Sequence, residues 1–232
     1  FRFLPYVFLL LVSFDMLRYV NKWMPFDPRE HVFPSMKILE YLSKEVGFNR
    51  AFGNFGGEMS MPFHIPFIEG YDAVYQRRYG EFISSVSTGK IGIPERSVVR
   101  FPKIGSFSEQ TLQLLGVKYY IQKKSDGRSV WAYPFWQYSQ YSLVYSDEHF
   151  DVYRNDNVLP RAFLASSYTI AKDDKEILNV LHDPVFNAQH AVILEEKPVI
   201  EPMIGEGSVI IDRYTPNEII LKTSALVPKL LF

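Results

Sequence analysis

The sequence predicts an α+β protein in three parts. The end of a truncated transmembrane helix occupies 1–20, an α/β domain 21–145, and a β-rich, sandwich-like domain with one helix 146–232. Three observations carry this reading. Residues 3–14 (FLPYVFLLLVSF) hold no charge, helical periodicity dominates the stretch that follows, and short strand-like runs crowd the last third.

The first element is the apolar run. A bilayer core needs about 20 apolar residues, so twelve fit either the end of a membrane helix or an internal core helix. A secretory signal fits poorly, because only Arg2 precedes the run and no small-residue cleavage site follows it. Arg18, Tyr19, Lys22 and Trp23 supply the basic and aromatic flank of a membrane interface. Three prolines between Pro25 and Pro34 then predict an extended linker.

A helix is expected from Ser35, with Met36, Leu39, Leu42 and Val46 at helical spacing and Gly47 as the stop. Residues 48–55 read as a strand. The glycines at 53, 56 and 57 lack both the GxGxxG spacing and a following Lys-Ser/Thr, so they mark a turn and not a phosphate cradle. Helices are expected over about 73–86 and 108–115, and a strand over 117–122. The segment 130–145 is aromatic and strand-like. Further strands are expected at 150–153, 162–165, 191–194, 208–213 and 218–223, with one helix at 173–181. No internal repeat is visible.

Composition narrows the function classes. The 232 residues contain no Cys, which removes a disulfide scaffold, thiolate metal ligation and a cysteine nucleophile together. A hydrophobic share of 47% with 22% charged residues excludes an intrinsically disordered chain. Up to residue 145 there are 17 basic and 12 acidic side chains, and after it 8 and 14. The basic residues are scattered, so no nucleic-acid footprint forms. No cofactor motif is present. The five histidines form no HxH or HExxH pair, and Asp147-Glu148-His149 with Asp151 reads as a hydrogen-bonded turn before a strand. The adjacent carboxylates Asp173/Asp174 and Glu195/Glu196 point in different directions and make no acid–base couple. No GxSxG elbow occurs. No residue is therefore assigned to catalysis or to a metal.

Two constellations could bind a ligand. In the first, Tyr71 and Asp72 lie in a turn just before Arg77 and Arg78, a grouping suited to an anionic or polyhydroxylated ligand. The structural alternative is that Asp72 caps a helix starting near Ala73 while the arginines pair with Asp72 or Glu81. In the second, Trp131, Trp136 and Tyr138 stand in an aromatic run that includes Tyr133, Phe135, Tyr141 and Tyr145. Such rings stack on sugars, seat at a lipid interface, or simply fill a core.

Several short stretches taken in order resemble the soluble loop of the YfhO-type family of polytopic bacterial membrane proteins. They are Phe14-Asp15, Pro34-x(4)-Leu39, Gly70-Tyr71-Asp72, Arg78-Tyr79 and Leu115-Gly116-Val117-Lys118-Tyr119. Tyr153, Leu159-Pro160-Arg161-Ala162-Phe163 and Tyr214-x-Pro216-Asn217 complete the set. Where the family has Pro-Asn before the Gly-Tyr-Asp turn, this chain has Met61-Pro62-Phe63-His64. The resemblance implies an extracytoplasmic domain at the bacterial cell membrane. It also implies a parent similar to GT-C glycosyltransferases, which move a sugar from a polyprenyl-phosphate carrier to an envelope glycopolymer or lipid. On that resemblance the catalytic loops of such a parent would lie outside this chain, and a further strand would be expected after Leu230-Leu231-Phe232.

On that reading the chain recognises or positions an acceptor. Tyr71, Asp72, Arg77 and Arg78 would contact a phosphate or polyol, and Trp131, Trp136 and Tyr138 would stack on sugar or rest on membrane lipid. The alternatives are a non-catalytic carbohydrate-binding or protein-docking β-sandwich module, and a soluble enzyme in which 3–14 is a core helix.

Overall fold

The computed structural model describes residues 2–23, 28–33, 35–55, 60–70, 74–96, 99–102, 105–124 and 139–232. The chain divides into two compact units, Phe1–Met36 and Lys37–Phe232.

The first unit is built on helix α1 (Leu4–Trp23). The helix runs through Asp15 and ends three residues beyond the predicted segment. Its 20 residues rise about 30 Å, the thickness of a bilayer's hydrocarbon core. None of its residues is buried, so it is not a core helix in this structure. At its C-terminal end the Tyr19 and Trp23 rings lie 6.1 Å apart and Lys22 Nζ sits 5.7 Å from the Trp23 ring. The region predicted as an extended linker contains one 3₁₀ turn, Arg29–His31, closed by His31 N–H donating to the Pro28 carbonyl at 2.9 Å. Pro28 loses no bond there, since its carbonyl is the acceptor.

The second unit is α+β, as predicted. Helix α2 (Lys37–Glu45) buries Ile38, Leu39 and Leu42 on one stripe, and Gly47 at φ +52° ends it in the left-handed region that a glycine enters without strain. There follow β1 (Arg50–Gly53), α3 (Ser60–Phe63), α4 (Arg77–Ser85), α5 (Ser108–Leu114) and β2 (Val117–Lys123). The hairpin β3 (Tyr141–Ser146) and β4 (Phe150–Asn155) comes next. These strands form one sheet in the order β1-β2-β4-β3, with β1 parallel to β2 and the other pairs antiparallel. The residue 145/146 boundary thus falls at the end of β3, inside a single sheet.

Both faces of β2 are covered, which is why three successive residues, Tyr119, Tyr120 and Ile121, are buried. Tyr119 Oη donates to the Glu45 carbonyl of α2 at 3.0 Å. Tyr120 joins Phe52, Ile83, Val86 and Leu112 in the core shared with α4 and α5. Gly53 at φ +138° is required where β1 meets β2, because a Cβ there would stand 1.9 Å from the Ile121 carbonyl oxygen.

After β4 the chain places β5 (Leu164–Ala165), β6 (Ser167–Ile170), α6 (Asp174–Leu181), β7 (Ala191–Leu194), β8 (Gly207–Thr215), β9 (Glu218–Ala225) and β10 (Leu230–Leu231). This part is β-rich with one helix. Among the described residues its strands after β4 pair two by two: β10 with β5, β6 with β7, and β8 with β9. β6 and β7 run parallel and α6 is the crossover between them, a βαβ unit not expected from the sequence because β6 is only four residues long and mostly exposed. Helix α6 is capped at its start. The Asp173 carboxylate accepts from Glu176 N–H at 2.8 Å, and the Glu176 carboxylate accepts from Lys172 N–H at 2.8 Å.

Candidate functional site

The cations expected to bind ligand are already occupied. Helix α4 begins at Arg77, later than the predicted start near Ala73, and its N-cap Gln76 makes no side-chain cap. Arg77 Nε donates to Glu81 at 2.7 Å, the i,i+4 pair its helix spacing allows. Arg78 points toward the βαβ unit, where it donates to both Glu195 carboxylate oxygens and lies 3.4 Å from Asp174. Hydrogen bonding to Glu195 raises the Arg78 pKa, and Arg78 in turn lowers that of Glu195. Tyr71, Asp72, Trp131, Trp136 and Tyr138 lie outside the described residues. Of the aromatic run, Tyr145 packs on Tyr41 with ring centroids 4.8 Å apart and donates to Asp147 at 2.6 Å. Asp147 also accepts from the His149 and Phe150 N–H groups, so the acidic cluster is a turn, as its sequence suggested. Among the described residues no group of three or more His, Asp or Glu is placed to hold a metal.

A different pair of arginines faces a cavity of about 370 Å³. The βαβ unit supplies one wall through Ile177 and Leu181 of α6 and Val192 and Ile193 of β7. Phe82 of α4 and Leu114 of α5 line it from the core. The remaining side is the Leu159–Phe163 segment, in which Phe163 and Phe232 exchange two backbone hydrogen bonds of 2.9 Å. Among the described residues that line it, three carry polar side chains: Asn49, Arg50 and Arg161. Asn49 donates one amide N–H to the Val46 carbonyl, and the two arginines are the charged residues lining a mostly apolar space.

Each arginine is positioned by a specific local device. Arg50 opens β1 and donates to the Leu115 carbonyl. That carbonyl is presented by a turn at Gly116, whose φ of +66° no β-branched residue tolerates. A Cβ on Gly116 would also stand 2.9 Å from the Leu159 carbonyl oxygen. Gly116 therefore lets the turn after α5 close onto the segment that carries Arg161. Arg161 donates to the Tyr214 hydroxyl of β8 and lies 5.4 Å from the Tyr214 ring centre, while Phe48 packs 5.6 Å from that ring.

The electrostatics are unusual for two neighbouring cations. Among the described residues neither Arg50 nor Arg161 forms an ion pair with a carboxylate. Burial, and after it the Arg161 charge, lower the Arg50 pKa, with Tyr79 and Tyr214 opposing the shift. Tyr79 is itself pushed up to about 12 by burial, so it stays a neutral phenol and donates to the Ile68 carbonyl. The arrangement holds two partly desolvated positive charges beside an apolar volume, and an anion entering the cavity would relieve both.

The sequence carries a faint signal of this site. Arg161 stands in Leu-Pro-Arg-Ala-Phe and Arg50 just before Ala-Phe-Gly, each a lone charge in apolar surroundings. Residues from three separate stretches, 115–119, 159–163 and 214–217, meet here through Leu115, Arg161 and Tyr214. Compared with protein families, with curated proteins and with solved structures, the chain matches none.

Proposed function

We propose that this chain is the extracytoplasmic, ligand-recognising part of a multi-pass bacterial membrane protein, whose parent is a lipid-linked-sugar glycosyltransferase acting on the cell envelope. The observation that carries the reading is α1: a 20-residue apolar helix with no buried residue, ending in Tyr19, Lys22 and Trp23. The resemblance of the ordered short stretches supports the transferase parent. The folded unit contributes binding, because the distinctive chemistry among its described residues is an apolar cavity lined by two cations.

The absence of cysteine supplies the test. Ser224 lies exposed on β9, so Ser224→Cys gives the chain a single thiol. The full chain should float with phosphatidylglycerol vesicles and resist carbonate extraction. In intact bacteria producing the parent, the Ser224→Cys thiol should react with a membrane-impermeant maleimide. Extraction by carbonate, or labelling only after lysis, would overturn the reading.

A further inference from the structure

We infer that the cavity behind Arg50 and Arg161 is a binding site for a single-tailed anionic amphiphile, an aliphatic chain bearing one phosphate or carboxylate head. The inference deepens the recognition role proposed above and rests on it only for biological purpose. Binding is measured on the chain itself, so a cavity that binds nothing would leave the membrane-sidedness result intact.

The argument starts from volume and polarity. At about 370 Å³ the space is in the lower part of the range that small-molecule sites occupy, about 300–1,000 Å³. It is too apolar for a sugar, which would need hydrogen-bond partners around each hydroxyl. The walls formed by Phe82, Leu114, Ile177, Leu181 and Val192 offer none from their side chains. They suit a flexible hydrocarbon tail, which gains from each methylene removed from water.

The head is fixed by the arginines. Arg50 uses one donor on the Leu115 carbonyl and Arg161 one on the Tyr214 hydroxyl. A guanidinium has five N–H donors, so each keeps several for a ligand. Phosphate and carboxylate oxygens match that fork, and a negative head between the two groups offsets the burial and, after it, the Arg161 charge that lower the Arg50 pKa. A neutral head would leave both cations uncompensated. Free inorganic phosphate would gain the fork and forgo the hydrocarbon walls. The combination therefore selects a molecule with both features.

The experiment is titration calorimetry on the full chain in phosphatidylcholine nanodiscs, with empty discs subtracted. Decyl phosphate and decanoate should each bind with one-to-one stoichiometry. Decanol and inorganic phosphate should bind at least about tenfold more weakly, the loss expected when charge-assisted bonds or tail burial are removed. A chain carrying both Arg50→Met and Arg161→Met should lose about tenfold or more for decyl phosphate and keep its affinity for decanol. Ala188→Trp, which fills the cavity and leaves both arginines, should weaken every tailed ligand. Decyl phosphate binding no tighter than decanol would overturn the inference, as would inorganic phosphate binding equally well. Unchanged binding in both the arginine and the Ala188→Trp chains would place the ligand elsewhere and overturn it too.

Discussion

Two pairs of arginines in this molecule differ in almost every physical respect. Arg77 and Arg78 are neighbours in sequence and exposed, and each is matched to a carboxylate: Glu81 for one, Glu195 with Asp174 for the other. Arg50 and Arg161 are far apart in sequence, partly buried, and matched to a carbonyl and a phenol. The first pair looks like a site in the sequence and behaves as surface structure. The second is invisible as a pair until β1 and the 159–163 segment are brought together by the turn at Gly116. Adjacency in sequence gathers charge, but a binding site also needs that charge left without a protein counterion in a dry place.

The largest expected effect tests the device that assembles the second pair. Gly116→Val places a β-branched residue at φ +66° against the Leu159 carbonyl. It should destabilise the chain by about 3 kcal/mol, the sum of left-handed strain and a backbone clash. Gly47→Ala is the comparison, because its φ is +52° but nothing lies within 4 Å of the added Cβ. It should cost only about 1 kcal/mol. Chemical denaturation of the two variants separates closing the cavity wall from ending a helix, and equal losses would refute the role given to Gly116.

A pH effect should come next. His182 ends α6 beside the cavity wall, stacked on Phe107 at 4.1 Å, and burial lowers its pKa below 6.5. The unfolded chain therefore binds the proton more tightly than the folded one. The stability that neutral His182 contributes is complete above about pH 6.5 and is lost as the pH falls below it, by up to about 1.4 kcal/mol per pH unit. Denaturation curves at pH 5 and 7 should differ by less in His182→Asn than in the parent chain. An identical pH dependence would exclude His182 as the source.

The two arginine pairs should then diverge in sign. Arg161→Met removes an uncompensated cation and lengthens the apolar wall, so the unliganded chain should be unchanged or more stable by about 1 kcal/mol. Arg78→Met removes an exposed partner of Glu195 and should lower stability slightly, the smallest effect here. A clear loss of stability in Arg161→Met would mean that its bond to Tyr214 outweighs its burial.

How much was legible follows from the same contrast. Strong helical periodicity placed α2, α5 and α6 within one or two residues, and β2, β7 and β9 were visible as apolar runs. β6 was missed because Ser167–Ile170 is mostly exposed and becomes a strand only by pairing with β7. The Arg77–Glu81 pair was legible, since the i,i+4 spacing offers it as the alternative to a ligand contact. The partners of Arg78, by contrast, come from α6 and the residues after β7, which no local pattern could bring near. The cavity was illegible for that reason: its walls are gathered from stretches scattered between Phe48 and Phe232, and only the two isolated arginines hinted at it.

The most direct test is thermal melting of the full chain in phosphatidylcholine nanodiscs, with and without decyl phosphate, beside the chain carrying Arg50→Met and Arg161→Met. The parent chain should melt higher with decyl phosphate, since a ligand that binds only the folded state stabilises it in proportion to the logarithm of its saturation. The double variant should melt at least as high as the parent without ligand and gain nothing from it. Equal gains in both chains, with the unliganded variant melting well below the parent, would contradict the account by making the arginines structural and the cavity indifferent to charge.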